Sequence, residues 1–470
     1  MSNEIAMNNT YALREAILAA PLETSNFGEV PNAGQLYVPP SHLKALRLEA
    51  QIVVGGRGVG KSFWTGVLQS DSLRSLVSKD AQELADVVVR VGFAASENMA
   101  MYPNADVFAN FLNKEGDPYD LWRAVILRWV AEMSGQRIPC QSWMETVAWM
   151  KDQPEDAALL MQQPRNWRGL IVFDALDRTS NDWNRMDVIV RGLLRAILWL
   201  KSFRGLYGKV FLREDQAKRT VFNFPDASKL MATKAELTWA RHDLHGLLWQ
   251  RLINAPNEHG EIMRKICAHE QREGIWRVAA EMTRDSEAQR KAFERLAGPW
   301  MGRDKRRGVP YTWSVGHLAD ARGQTSPRSF LAAIRQAAED SSERYPDHDY
   351  ALHYESIKRG IQKASEIRVQ EVAEDYPWIK DVLSVLKGMN VPCAYEDIVQ
   401  RWQQQFPDGP QGIHSERLPA QHAIQGWDGI REDLMQLGLI EVKKDGRIDM
   451  PDLYRVGFGL GRKGGVKPRN

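Results

Sequence analysis

The chain has 470 residues, 62 basic against 60 acidic, and 43% hydrophobic side chains. That length excludes one ordinary domain and predicts two or three; the balanced charge excludes a uniformly basic or acidic chain, so any basic surface is local. The widely spaced Cys140, Cys267 and Cys393 exclude a disulfide framework and metal-ligand spacing, as expected of a reducing, cytoplasmic setting. No apolar run reaches membrane-spanning length and residues 1–10 are polar, so neither a membrane partner nor a signal peptide is expected. Sixteen tryptophans read mainly as core anchors.

Residues 1–40 predict a helix over 11–20 and a lead-in rich in Pro, Asn and Gly. Residues 48–54 end in Ile52-Val53-Val54, a buried strand. Then comes Gly55-Gly56-Arg57-Gly58-Val59-Gly60-Lys61-Ser62, followed by a helix predicted over 63–73 and beginning at Phe63. Strand, G-x-x-x-x-G-K-S and helix form the phosphate-binding loop. Glycines let the backbone aim N–H groups at phosphate, and the helix start adds its positive dipole end. Residues 55–63 are therefore the candidate nucleotide contacts. Lys61 would reach the β- and γ-phosphates, and the Ser62 hydroxyl would hold Mg²⁺. His42, just upstream, reads either as an adenine contact or as a surface or capping histidine.

Residues 86–93 predict a second strand, and 119–133 and 142–150 carry apolar residues at helical spacing. Gly169-Leu170-Ile171-Val172-Phe173-Asp174 is an apolar strand ending in aspartate, the Walker B pattern. Asp174 would hold Mg²⁺, mostly through water, facing Ser62. Asp177 has two readings: polarising the water that attacks the γ-phosphate, or capping the next segment. Residues 188–199 predict an amphipathic helix, and 209–215 a strand with a polar end. At that end Arg213 reads as a γ-phosphate sensor or as a structural salt-bridge partner. Residues 235–239 close the set as a fifth strand. The expected fold class is α/β, a three-layer P-loop NTPase core over 41–240 with a mainly parallel five-stranded sheet, and ligand at the carboxyl ends of the strands.

Residues 241–345 predict a helical lid with periodic stretches at 241–252, 276–296, 311–319 and 327–338. Its loop Gly302-Arg303-Asp304-Lys305-Arg306-Arg307-Gly308 is either a solvated charged loop or an arginine finger for a neighbouring subunit. Arg328, in Ser326-Pro327-Arg328, reads as a lid arginine reporting on the γ-phosphate or as a plain helix-start arginine. Residues 346–376 read as a charged connector. Over 377–457, helices at 381–389, 395–405 and 427–437 precede a hairpin of 438–443 and 446–450, a winged-helix-like unit. Helix 427–437 carries Arg431 against Asp428, Glu432 and Asp433. That favours protein contacts over DNA. The basic tail 458–470 reads as a phosphate contact, a flexible terminus or a docking strand.

These residues together resemble the STAND and KAP-like branch of P-loop ATPases, which includes ATPases encoded in bacterial antiviral defence loci. The carriers are the loop 55–62, Phe173-Asp174-Ala175-Leu176-Asp177-Arg178, and Phe211-Leu212-Arg213. Leu237 and Trp239 with Leu244, Leu248 and Arg251, the Ser326-Pro327-Arg328 start and the C-terminal unit add to it, over roughly 40–456. In that branch a second acid often directly follows the Walker B aspartate; here the place is Ala175, which leaves the role to Asp177. The resemblance implies a regulated ATPase using Mg²⁺ and ATP. It would switch conformation or homo-oligomeric assembly with a protein effector or regulator. A DNA-binding AAA+-like assembly ATPase and a non-hydrolysing scaffold are the alternatives. No nuclease or protease signature accompanies the loop, and no N-K-x-D run reads guanine.

Overall fold

The computed structural model describes residues 2–23, 30–217 and 219–468, with the side chains of 2–9 and 219 left aside. The chain divides into two compact units. One is built from Pro40–Thr238; the other takes the N-terminal helix Ser2–Ala19, residues 32–39 and the chain from Trp239 onward.

The first unit is an α/β three-layer core around a parallel sheet of β1 (Ile52–Val54), β2 (Val87–Phe93), β3 (Arg168–Phe173), β4 (Leu206–Leu212) and β5 (Ala235–Glu236). The order is β2-β3-β4-β1-β5, and every neighbouring pair is parallel. β1 is buried throughout, and β3 is buried from Gly169 to Phe173. Strands covered on both faces read as unbroken apolar runs, which is why these two were legible. β4 lies between β1 and β3, pairing Val210 with Ile52 on one side and with Phe173 on the other. The carboxyl ends of the loop strand and the aspartate strand therefore flank the end of β4. The helix predicted over 63–73 is two: Lys61–Gln69 and Asp71–Val77, with Ser70 between them accepting from the Leu73 N–H. A serine cap starts a new helix there.

β4 also carries a fully buried cation. The Lys209 ammonium donates to the carbonyls of Ala45, Arg47 and Ala50 at 2.7, 2.9 and 2.6 Å. Its three protons meet three acceptors, of which the Arg47 carbonyl also accepts from the Ala50 N–H. Lys209→Met keeps the packing but orphans the buried carbonyls of Ala45 and Ala50, at a cost of about 3 kcal/mol. For a domain of this size the thermal midpoint should fall by roughly 6–12 °C. Differential scanning calorimetry reads it; a change within a degree would show that the braces contribute little.

In the second unit one expectation is corrected. Trp276 does not open a helix. His269–Arg272 (β6) and Ile275–Val278 (β7) pair as an antiparallel hairpin. Glu273 and Gly274 sit at its turn with φ of 51° and 76°, the geometry of a two-residue hairpin loop. The helix begins only at Ser286, capped by Asp285. The charged stretch 346–376 is largely one helix. Helix Tyr354–Asp375 packs along Pro327–Arg344. Gly360 allows the approach: a Cβ there would lie 2.2 Å from the Ala333 carbonyl oxygen. The N-terminal helix is anchored to the same unit by the buried Arg14. Its guanidinium donates to the carbonyls of Tyr345, Pro346 and Ala351. Arg251 likewise donates to those of Pro21 and Glu23.

Towards the C-terminus, helices Pro377–Ser384, Tyr395–Gln405 and Trp427–Gln436 precede a hairpin of β8 (Glu441–Val442) and β9 (Ile448–Asp449). Cys393 bridges to Ile448 beside it. The tail is tied down at Gly461 and Val466, while residues 463–465 and 467 are exposed. Gly461 bridges to Asn390, and the fully buried Arg455 donates to the carbonyls of Leu460 and Val466.

Three buried histidines make stability pH-dependent. Burial pulls His42 and His353 down to about 4 and His245 to about 3 from an ordinary 6.5. His42 lies in the first unit, His245 in the second. Each folded pKa is depressed, so the unfolded chain binds the extra protons. The contribution is present above pH 6.5 and is lost as pH falls through about 4. Each tenfold difference in proton affinity between the folded and unfolded chain is worth roughly 1.4 kcal/mol. Denaturant unfolding at pH 7.5 and 5 should show lower stability at pH 5, in both units. Replacing His42 by glutamine should flatten the slope of the first unit.

Candidate nucleotide-binding site

The site begins where β1 stops. The Gly55 N–H donates to the Leu212 carbonyl at 3.1 Å, tying the loop to the end of β4. A Cβ on Gly55 would lie 2.7 Å from Val59 Cγ2, so the turn closes only over glycine. Gly58 and Gly60 take φ of 77° and 103°, left-handed backbone open to glycine at little cost. Gly60 is the N-cap of helix Lys61–Gln69. Arg57 is half-buried at the turn, and Phe63 lies edge-on to Trp64.

Lys61 curls back over this loop, its ammonium donating to the carbonyls of Gly55 and Gly56 at 2.9 and 2.7 Å. Burial, then the neighbouring Arg213, lowers it to about 8, against the pull of Asp174, Asp177 and Asp215. Asp174 follows β3 directly; its N–H donates to the Phe93 carbonyl at 2.9 Å. The residue is 4% exposed, and its carboxylate accepts from the Ser62 hydroxyl. Burial raises its pKa, opposed by Ser62, Lys61 and the Ala175 N–H.

Ala175 has φ 56°, a left-handed turn that is uncommon for a residue with a Cβ. The turn Leu176–Arg178 that follows is held by Arg178, which donates to the Ala95 carbonyl at 3.1 Å. It sets Asp177 beside the end of β4. There Arg213 meets two acids: Nη1 is 3.6 Å from Asp177 Oδ2 and Nε 3.4 Å from Asp215 Oδ1. Lys61, Ser62, Asp174, Asp177 and Arg213 thus share one place, brought together by three adjacent strand ends.

The site suits a phosphate and a cation on its own chemistry. Lys61 is a cation whose burial is incompletely offset, which an anion would relieve. Asp174 is a buried carboxylate beside a hydroxyl, which a hard divalent cation would relieve. Sequence reasoning passed over Asp215, Gln216 and Glu214. Glu214 Oε1 would stand 3.6 Å from a Cβ on Gly56, so its carboxylate overhangs the loop. The signal was their place directly after Arg213, at a strand end in a fold that binds ligand there.

His42 is a correction. It is fully buried, with Nδ1 accepting from Trp64 Nε1 at 3.1 Å and Nε2 donating to the Thr238 carbonyl at 3.1 Å. Both ring nitrogens are used inside the protein, so the ring is a strut rather than a base contact. Arg328 belongs to the other unit, where Nη1 donates to Glu371 at 2.6 Å. Arg303, Arg306 and Arg307 are exposed around the short turn Lys305–Arg307 of that unit.

No family model matches the chain, and none of the curated proteins does. Among solved structures it is similar to the ORC2 protein of Aeropyrum pernix at 12% identity and a TM-score of 0.30, over 90% of this chain and 94% of that one. It is also similar to the Walker-type ATPase paby2304 of Pyrococcus abyssi at 12% identity and a TM-score of 0.35, over 89% of this chain and 98% of that one. Neither likeness carries the assignment, which rests on the strand order, the glycine loop and the aspartate strand. Among the described residues no helix is long and apolar enough to cross a membrane. The first unit has the three-layer α/β fold of a P-loop NTPase core.

Proposed function

We propose that the chain is a regulatory ATPase that binds Mg-ATP and hydrolyses it slowly to switch conformation or assembly with partner proteins. The observation that supports this is the convergence of Lys61, the Ser62–Asp174 pair and the Arg213–Asp177 pair at one set of strand ends. The loop's backbone N–H groups and the Lys61 ammonium would hold the phosphates. Ser62 and Asp174 would hold magnesium, which when bound offsets phosphate charge as the terminal P–O bond breaks. Asp177 would orient the attacking water and take its proton. Arg213 would exchange its Nη contact with Asp177 for the γ-phosphate and so report its presence.

The resemblance to antiviral-defence ATPases supports a switch that works on an effector. Within that reading, Arg328 serves as the lid sensor. One of Arg303, Arg306 and Arg307 serves as a finger for a second copy.

A second reading, an AAA+-like assembly ATPase on DNA, has one specific support. A groove beside the C-terminal hairpin is lined by Arg447, Arg462 and Lys463 together with Asp449, although Arg447 is paired with Asp445 and Arg462 with Asp449 and Asp452. Against it, the helix Trp427–Gln436 presents Asp428 and Glu432, and its Arg431 is tied to Asp428 at 3.1 Å. Phosphate release from ATP, alone and with duplex DNA, beside Lys61→Ala, separates the two. Lys61-dependent turnover indifferent to DNA favours the partner-regulated switch. Stimulation by DNA, lost in the variant, favours the second reading. Turnover that survives in Lys61→Ala rejects both.

A further inference from the structure

We infer that Asp215 is a positioning residue for the reaction proposed above: it holds the Nε edge of Arg213 so that the Nη edge faces Asp177 and the incoming γ-phosphate. The inference rests on the ATPase reading of the same site.

The turn after β4 is a closed ring of contacts. The Arg213 N–H donates to Gln216 Oε1 at 3.0 Å, and the Gln216 N–H donates to Asp215 Oδ1 at 3.0 Å. The same Asp215 oxygen lies 3.4 Å from Arg213 Nε. Gln216 is itself 3% exposed and anchored through Nε2 to Met186 Sδ at 3.4 Å, in helix Trp183–Leu200. Asp215 is therefore fixed by the backbone of the turn, and the turn is fixed by the core.

A guanidinium is planar, and its Nε and Nη donors point in set directions. Holding Nε against a fixed carboxylate leaves the Nη edge one main direction, and along it lies Asp177 at 3.6 Å. A long side chain free in solvent would lose rotamer freedom on meeting phosphate. Arg213 has already lost it, with a side chain only 12% exposed. The pair also gives the two acids different tasks. Asp215 keeps the arginine in place whether or not nucleotide is bound. Asp177 holds it only until a phosphate competes for the Nη edge, and is then released to act on water.

A purely structural Asp215 would affect stability and leave catalysis alone, so the test reads both. ATP turnover and thermal midpoints are measured for the full chain, Asp215→Asn, Arg213→Ala and the double variant. Asp215→Asn should lower kcat by about 10-fold or more while KM for ATP moves less than about threefold, as expected when a transition-state interaction is lost. In the Arg213→Ala background Asp215→Asn should have no further effect on kcat, because its action runs through that side chain. Asp215→Glu, which keeps the charge on a longer stem, should fall between wild type and Asp215→Asn. It also carries the test if the asparagine variant fails to fold. Equal losses from Asp215→Asn in both backgrounds, or a glutamate variant as slow as Arg213→Ala, overturn the inference. Wild-type protein without Lys61-dependent turnover would instead overturn the ATPase reading beneath it.

Discussion

Lys61→Ala is expected to lower ATP turnover by at least ~10²-fold, the usual effect of deleting a charge-stabilising donor from a preorganised site. Nucleotide affinity should fall with it. The reason is electrostatic. Burial drags the ammonium to about 8, so the site holds a cation that its own acids only partly compensate. The same cation is parked on the carbonyls of Gly55 and Gly56, ready to exchange those acceptors for phosphate oxygens. Alanine removes the charge and leaves the glycine turns and the Asp174–Ser62 pair in place. The variant should therefore keep the fold while losing phosphate release. Equilibrium binding of a fluorescent ATP analogue separates lost affinity from lost chemistry. Unchanged binding and unchanged turnover together would remove the loop from the function.

Asp177→Asn should give a different phenotype: ATP bound and retained, with turnover lowered by ~10²–10⁴-fold, the range for losing a general base. Asparagine keeps the shape of the side chain but cannot accept the proton of the attacking water. It also weakens the contact with Arg213 Nη1, which leaves that edge more available to phosphate. Affinity for ATP should therefore hold or tighten. Gel filtration with radiolabelled ATP, followed by analysis of the nucleotide that co-elutes, should find mainly triphosphate. Mainly diphosphate at normal turnover would assign the water to another acid. Glu214, whose carboxylate overhangs Gly56, would be the first to replace.

How far the sequence was readable follows the range of the interactions. The glycine loop was legible because its chemistry is local: positive-φ glycines, a lysine and a hydroxyl at fixed spacing. β1 and β3 were legible because strands covered on both faces are unbroken apolar runs. The helix at 63–73 was over-extended because Ser70 can sit inside a helix or cap the next one, and here it caps. Trp276 was misread because Ile275, Trp276 and Val278 fit helical spacing as well as a short strand. The Glu273-Gly274 turn that decides it needs its partner strand to be meaningful.

By itself the sequence determined the phosphate loop, the aspartate that ends an apolar strand, and the α/β class, all of which depend on residues close along the chain. The tertiary structure alone decided the order β2-β3-β4-β1-β5, because which strand a strand pairs with is settled by packing partners far away. That order put Arg213 between Lys61 and Asp177, with Asp215 behind it. It also turned His42 inward as a strut to Trp64 and Thr238. Sequence alone places a lone histidine or lysine at the surface. Burial becomes tolerable only when the fold supplies acceptors, as it does for Lys209 with three carbonyls from the segment before β1.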